Sequence, residues 1–265
     1  MLIVFRDAGA GRISTAQAVS SYALLLAERS GKRTLLFSTR KTEERPENFL
    51  AKSIAKSKRC GGGIEAVRKL VVAGLMDKRG IYSCTRQVIE GLDLLPGSFP
   101  AVEERFEKEY AVGLPLVLEC LSDCYEFLVC DAGGTEDVLG KKVEEAADLI
   151  VKNIGQDPRV LCKFALEEYK NQIFYLFGDY DMESKYNLHN LRRKFNFLDK
   201  RNSSVLPRCT QVRDACMDGT LAAFYGKWED ERISGSLNEY GKALGRFEEK
   251  LKEMLEGGGA RFIYG

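Results

Sequence analysis

Two short stretches of this sequence gather residues whose types and spacing could do chemistry. The first is Arg6-Asp7-Ala8-Gly9-Ala10-Gly11-Arg12-Ile13-Ser14-Thr15, which follows the apolar run Leu2-Ile3-Val4-Phe5 and precedes a segment of helical period. A glycine-rich turn between a strand and a helix suits phosphate. Glycine lets a ligand approach the backbone, and the first N–H groups of a helix have no partner within it. Gly9, Ala10, Gly11, Arg12, Ile13, Ser14 and Thr15 are therefore candidates for cradling an anion. The second stretch is Tyr125-Glu126-Phe127-Leu128-Val129-Cys130-Asp131-Ala132-Gly133-Gly134. At the end of so apolar a run, Asp131 could hold Mg²⁺ directly or through water. It could equally cap the turn made by Gly133 and Gly134.

Other constellations are weaker. Cys120 and Cys124 stand four apart at the end of a helical segment, with no second pair at metal-site spacing, and read as buried structural thiols. The sole histidine, His189, has no nucleophile-elbow pattern around it, which argues against triad hydrolysis. Leu237, Tyr240, Leu244, Phe247, Leu251 and Met254 alternate by three and four, a heptad stripe that packs on the domain or on a partner. Its polar face mixes Lys242, Arg246, Lys250 and Lys252 with Glu239, Glu248, Glu249 and Glu253. That is not the cationic face that anionic lipids favour.

These residues need a frame to position them. Apolar runs suited to buried parallel strands (2–5, 33–37, 92–95, 126–130, 149–153, 173–177 and 204–206) alternate with helical segments (14–29, 64–76, 102–121, 135–147, 159–169, 184–195, 211–225 and 237–255). That order predicts an α/β protein with a parallel sheet. Residues 40–63, polar and ending in Cys60-Gly61-Gly62-Gly63, read as a loop. The 265 residues carry 40 Lys and Arg against 39 Asp and Glu, and 45% are hydrophobic. Disorder, a basic nucleic-acid coat and a membrane span are all disfavoured. Met1 leads straight into a strand, with no signal peptide to read, and the 8 cysteines are scattered, so a cytoplasmic protein with reduced thiols is expected. The expected organisation is one domain over residues 1–230, followed by a C-terminal amphipathic helix and tail over 231–265.

The order of motifs resembles the deviant-Walker P-loop ATPases of the MinD/ParA family. The loop and helix come first, then Gly31-Lys32-Arg33-Thr34-Leu35-Leu36-Phe37 like the family's second strand. Gly91-Leu92-Asp93-Leu94-Leu95-Pro96-Gly97 is similar to its strand ending in a Leu-Pro turn, and Tyr125 to Gly134 to its Walker B strand and switch. Glu144 to Val151, and Leu206-Pro207-Arg208 through Gly219, resemble later elements. The resemblance spans about residues 2–225. It implies a three-layer P-loop NTPase-like fold, a twisted, mainly parallel sheet with helices on both faces, with ATP and Mg²⁺ as cofactors, a possible homodimer, and protein partners in a positioning or assembly system. Pilus-positioning and secretion-associated members, TadZ or CpaE-like, share altered loops of this kind. Nucleic acid and membrane are the less favoured partners.

Carried over residue by residue, the resemblance departs at the chemistry. The strict loop pattern is Gly, four residues, then Gly-Lys-Ser/Thr. Here Arg6 stands at the first Gly, Arg12 at the Lys and Ile13 at the hydroxyl, with Ser14 or Thr15 as substitutes in a shifted register. The family's signature Lys is matched by Asp7, whose charge opposes a triphosphate. Ser38-Thr39-Arg40-Lys41 stands where the family places aspartates acting on the attacking water, so no general base is evident. A weak or absent ATPase is expected, with an active ATPase whose ATP-bound dimer is a localisation switch as the alternative.

Overall fold

The computed structural model describes residues 1–40, 44–51, 63–75, 77–97, 104–134, 138–164, 172–228 and 235–257, with the side chains of residues 12, 13, 65, 104–112 and 138 outside that description. Eight strands form one sheet: β1 (Leu2–Asp7), β2 (Thr34–Ser38), β3 (Arg86–Ile89), β4 (Leu92–Leu94), β5 (Phe127–Asp131), β6 (Leu149–Ile154), β7 (Gln172–Tyr180) and β8 (Ser203–Pro207). Their order is β3-β4-β2-β5-β1-β6-β7-β8. Every neighbouring pair is parallel except β3 and β4.

The described helices are α1 (Arg12–Ser30), α2 (Pro46–Leu50), α3 (Ile64–Val72), α4 (Lys78–Cys84), α5 (Glu104–Ser122), α6 (Val138–Glu145), α7 (Pro158–Phe164), α8 (Leu188–Lys194), α9 (Thr210–Met217), α10 (Leu221–Tyr225) and α11 (Ser236–Gly257). Alternate strand residues face opposite layers. Ile3, Phe5, Leu36, Val129 and Val151 join α1, α9, α10 and α11 in one core. Leu2, Val4, Leu35, Leu128 and Ile150 join α3 to α6 in a second. A third lies under α7 and α8 at β6 and β7. This is the three-layer α/β fold expected from the sequence.

The differences from the sequence reading have local causes. Strand β3 is a half-exposed edge strand, with no apolar run to mark it. The single helix expected over 211–225 is two, because Asp218 caps α9 and Gly219, at φ 60°, turns the chain before α10. Residues 44–51, read as loop, contain α2, whose Phe49 and Leu50 are buried against α1 and α9; residues 41–43 and 52–62 lie outside the described ones. The heptad stripe of α11 faces its own protein. Leu237, Tyr240, Leu244, Phe247 and Leu251 are buried, and the Phe247 ring packs on Phe5, Tyr22 and Phe174.

Candidate functional site

Strand β1 lies between β5 and β6, so the loop after it opens at the carboxyl edge of the sheet, where strand order reverses. Ligands of open α/β sheets bind at such a crevice. The loop's shape is set by Gly9 and Gly11, at φ 112° and 94°, values that side-chain-bearing residues rarely adopt. Its base hangs on Asn153 of β6, whose carbonyl accepts from the N–H of Ala8 at 2.9 Å and of Ala10 at 3.4 Å. The Asn153 amide nitrogen donates to Thr15 Oγ1 at 3.0 Å and Ser14 Oγ at 3.3 Å. Behind it, Gly178 of β7 is required, since a Cβ there would meet Asn153 Oδ1 at 2.4 Å and Ser14 Oγ at 2.5 Å.

Four amides of the loop, those of Ala8, Gly9, Ala10 and Gly11, are already engaged. Asp7 Oδ1 accepts from the N–H of Gly9 and of Gly11, each at 3.1 Å. The carboxylate thus folds over its own loop and takes amides of the type that a phosphate would use. Of the candidate hydroxyls, Thr15 is fully buried and donates to the Gly11 carbonyl at 3.2 Å. Ser14 is half-buried and lines a cavity of about 290 Å³, shared with Ala10, Gly11, Gln17, Glu44, Asp179 and Arg213. Asp179, at φ 49°, is the described non-glycine residue with a left-handed backbone, and it sits 3.7 Å from both Arg208 and Arg213. The backbone of Arg12 and Ile13 opens α1, but their side chains lie outside the described ones.

Asp131 ends β5, fully buried. Arg40 Nε stands 2.7 Å from each of its carboxylate oxygens. Burial pushes the Asp131 carboxyl above its ordinary range, against the pull of the Arg40 charge and hydrogen bonds and of the Gly133 N–H. Arg40 is held in place by the end of β2 and the residue after it: Ser38 Oγ and the Thr39 N–H both donate to the Asp131 carbonyl, at 3.1 and 3.0 Å, and the Arg40 N–H donates to Ser38 Oγ at 3.1 Å. Arg6, at the loop's first pattern position, is also buried. It donates to the Ala132 carbonyl at 2.6 Å and pairs with Glu144 of α6 at 3.2 Å.

The fold places the loop and Asp131 at the ends of adjacent strands, with the Asp7 N–H donating to the Gly133 carbonyl at 2.9 Å, and adds two residues that spacing alone did not assign. Asp7 was legible as a charge opposed to phosphate, but not as an acceptor for the loop. Arg40 was legible as a missing aspartate, but not as the partner of Asp131; the signal for it was an arginine at a position matched by acids. These groups do not fit a divalent cation. Both oxygens of Asp131, the expected metal ligand, are given to Arg40, and among the described residues no group of three or more His, Cys, Asp or Glu could hold a metal. Cys120 and Cys124 sit on the α5 side of the second core, where burial raises both thiols. His189 is exposed on α8.

No protein-family model and no curated protein matches the chain. Solved structures do. A ParA family ATPase from Chlorobium tepidum has a TM-score of 0.72 at 14% identity, covering 94% of this chain and 98% of that one. The septum site-determining protein MinD from Pyrococcus horikoshii, complexed with Mg-ADP, has a TM-score of 0.69 at 16% identity, covering 98% and 99%. The MinC:MinD cell division protein complex of Aquifex aeolicus gives 0.64 at 13% identity, covering 95% of each chain. The fold is accordingly that of the MinD/ParA ATPases, a P-loop NTPase-like α/β fold.

Proposed function

We propose that this chain is a positioning or assembly factor of MinD/ParA type with a degenerate nucleotide site, which works by binding protein partners and hydrolyses ATP weakly or not at all. The observation that carries this reading is the Asp7 carboxylate on the Gly9 and Gly11 amides. In phosphoryl transfer the protein supplies positioning and concentrated positive charge. Here an anion of the chain occupies two of the loop donors, and a triphosphate that used them must displace it against like charge. The MinD of Pyrococcus horikoshii is described with Mg-ADP, and that of Aquifex aeolicus with MinC; by analogy of fold, a protein partner and a homodimer are the associations proposed here, in the cytoplasm, with a pilus or secretion system as the setting.

Membrane attachment through α11 is disfavoured because its apolar stripe is spent on the core. Among the described residues, no helix is long and apolar enough to cross a membrane.

A second reading is favoured by the cavity beside the loop, which Ser14 lines. In it the chain is an active ATPase and dimer switch, with Arg12 and Ser14 replacing the missing groups and ATP and Mg²⁺ bound over Gly9 to Thr15. Calorimetric titration with ATP and Mg²⁺ separates the two. The degenerate site gives no heat at millimolar ATP in the wild type and measurable binding in Asp7→Ala. Tight, Mg²⁺-dependent binding by the wild type, abolished in Arg12→Ala and accompanied by phosphate release, would replace it with the switch.

A further inference from the structure

We infer that Arg40 is a built-in cation, standing beside Asp131 where the fold's relatives would bring a divalent metal, so that this site is complete without one. The inference rests on the degenerate-site reading above and concerns its other half, the carboxylate side instead of the phosphate side.

Three observations carry it. Asp131 is wholly buried at the carboxyl end of β5, and an ionised carboxylate in such a place requires a cation. Arg40 supplies it from a side chain that is itself 3% exposed, with Nε 2.7 Å from both oxygens. A guanidinium keeps its charge at every physiological pH, so no metal is needed to neutralise the acid. Second, the segment carrying Arg40 is built for this contact. Ser38 Oγ and the Thr39 N–H grip the Asp131 carbonyl, and Ser38 Oγ in turn accepts the Arg40 N–H. A surface arginine folded in by chance would not have its backbone tied to the residue that it neutralises. Third, Arg40 Nη2 is buried with no acceptor among the described residues. Buried donors are nearly always paired, so the side chain is held here by what its charge does for Asp131 and not by satisfaction of its own N–H groups.

The test is thermal unfolding of the full chain in chelator and in tens of millimolar Mg²⁺, with ionic strength matched by NaCl. The wild type should unfold at the same temperature in both. Arg40→Ala leaves Asp131 buried without a cation, and its midpoint in chelator should fall by about 10 °C. Mg²⁺ should then recover several degrees, and the recovery should vanish in the double variant Arg40→Ala, Asp131→Asn. Arg40→Lys, which keeps a point charge, should lose less than Arg40→Ala and ignore Mg²⁺. If Arg40→Ala does not fold in chelator, the yield of folded protein on refolding with and without Mg²⁺ is the same readout. A wild-type midpoint that rises with Mg²⁺ as much as that of Arg40→Ala would overturn the inference, and so would an Arg40→Ala protein indifferent to Mg²⁺. No nucleotide enters this experiment. Tight ATP binding by the wild type would sink the degenerate-site reading and leave Arg40's role standing, and indifference of Arg40→Ala to Mg²⁺ would do the reverse.

Discussion

Asp7 and Asp131 end two adjacent parallel strands, with Asp131 in register with Phe5, two residues before Asp7. They carry the same side chain and solve opposite problems. Asp7 is half-buried at the mouth of an exposed loop, and two backbone N–H groups suffice for it. Asp131 has no solvent at all and is matched by a full positive charge. The comparison teaches that the partner of a carboxylate is set by how much water it has lost. Desolvating an unpaired charge costs several kcal/mol, whereas a solvated carboxylate gains only about 1 kcal/mol from an added hydrogen bond.

The comparison can be broken at either end. The largest effect belongs to Asp131→Asn, which strands the Arg40 charge in the interior and should cost about 3–5 kcal/mol in urea unfolding. A loss below about 1 kcal/mol would mean that water reaches the pair. Next is Gly178→Ala, which drives a methyl into Asn153 and Ser14 beneath the loop; about 2 kcal/mol of destabilisation is expected, and a neutral result would show the loop floor to be as yielding as its rim. Asp7→Ala should cost about 1 kcal/mol or less, because solvent takes over the two amides. The finest measure is the double variant Asp7→Ala, Asp131→Asn. The negative charge of Asp7 works against ionisation of Asp131, so the two changes should depart from additivity by about 0.5 kcal/mol. Strict additivity would mean that the two sites do not sense one another.

Much of the frame was legible because parallel strands buried on both faces read as continuous apolar runs. Leu2 to Phe5, Phe127 to Cys130 and Leu149 to Val151 identify themselves in this way. What escaped was what lacks such a run: β3, an antiparallel edge strand of Arg86 to Ile89, and the short helices α2 and α4. The stripe on α11 was visible as a period, but a period names no partner, and the sequence left open whether it met its own core. At the site, the glycines and Asp131 were legible because each stands beside a local signal. The pairing of Arg40 with Asp131 was not, because it joins residues 91 apart through a sheet order that no spacing records. Asp7 was legible only in part for a similar reason: its repulsion of phosphate follows from charge alone, whereas its grip on Gly9 and Gly11 follows from the curl of the loop.

The seat of Phe247 on Phe5, Tyr22 and Phe174 sets an order of events during synthesis. Strand β1 and helix α1 leave the ribosome ahead of the ring that packs on their apolar face, which follows about 240 residues later, on the order of ten to fifty seconds at ordinary elongation rates. Through that interval Phe5 and Tyr22 lack their cover, and the nascent chain is exposed to chaperones and to aggregation. A ribosome stalled before α11 has emerged should hold a chain whose central strand is protease-sensitive, and one stalled after it a chain that is closed. Helix α11 therefore acts as a timer on folding, and shortening it would release a protein in which Phe5 and Tyr22 lack the Phe247 ring.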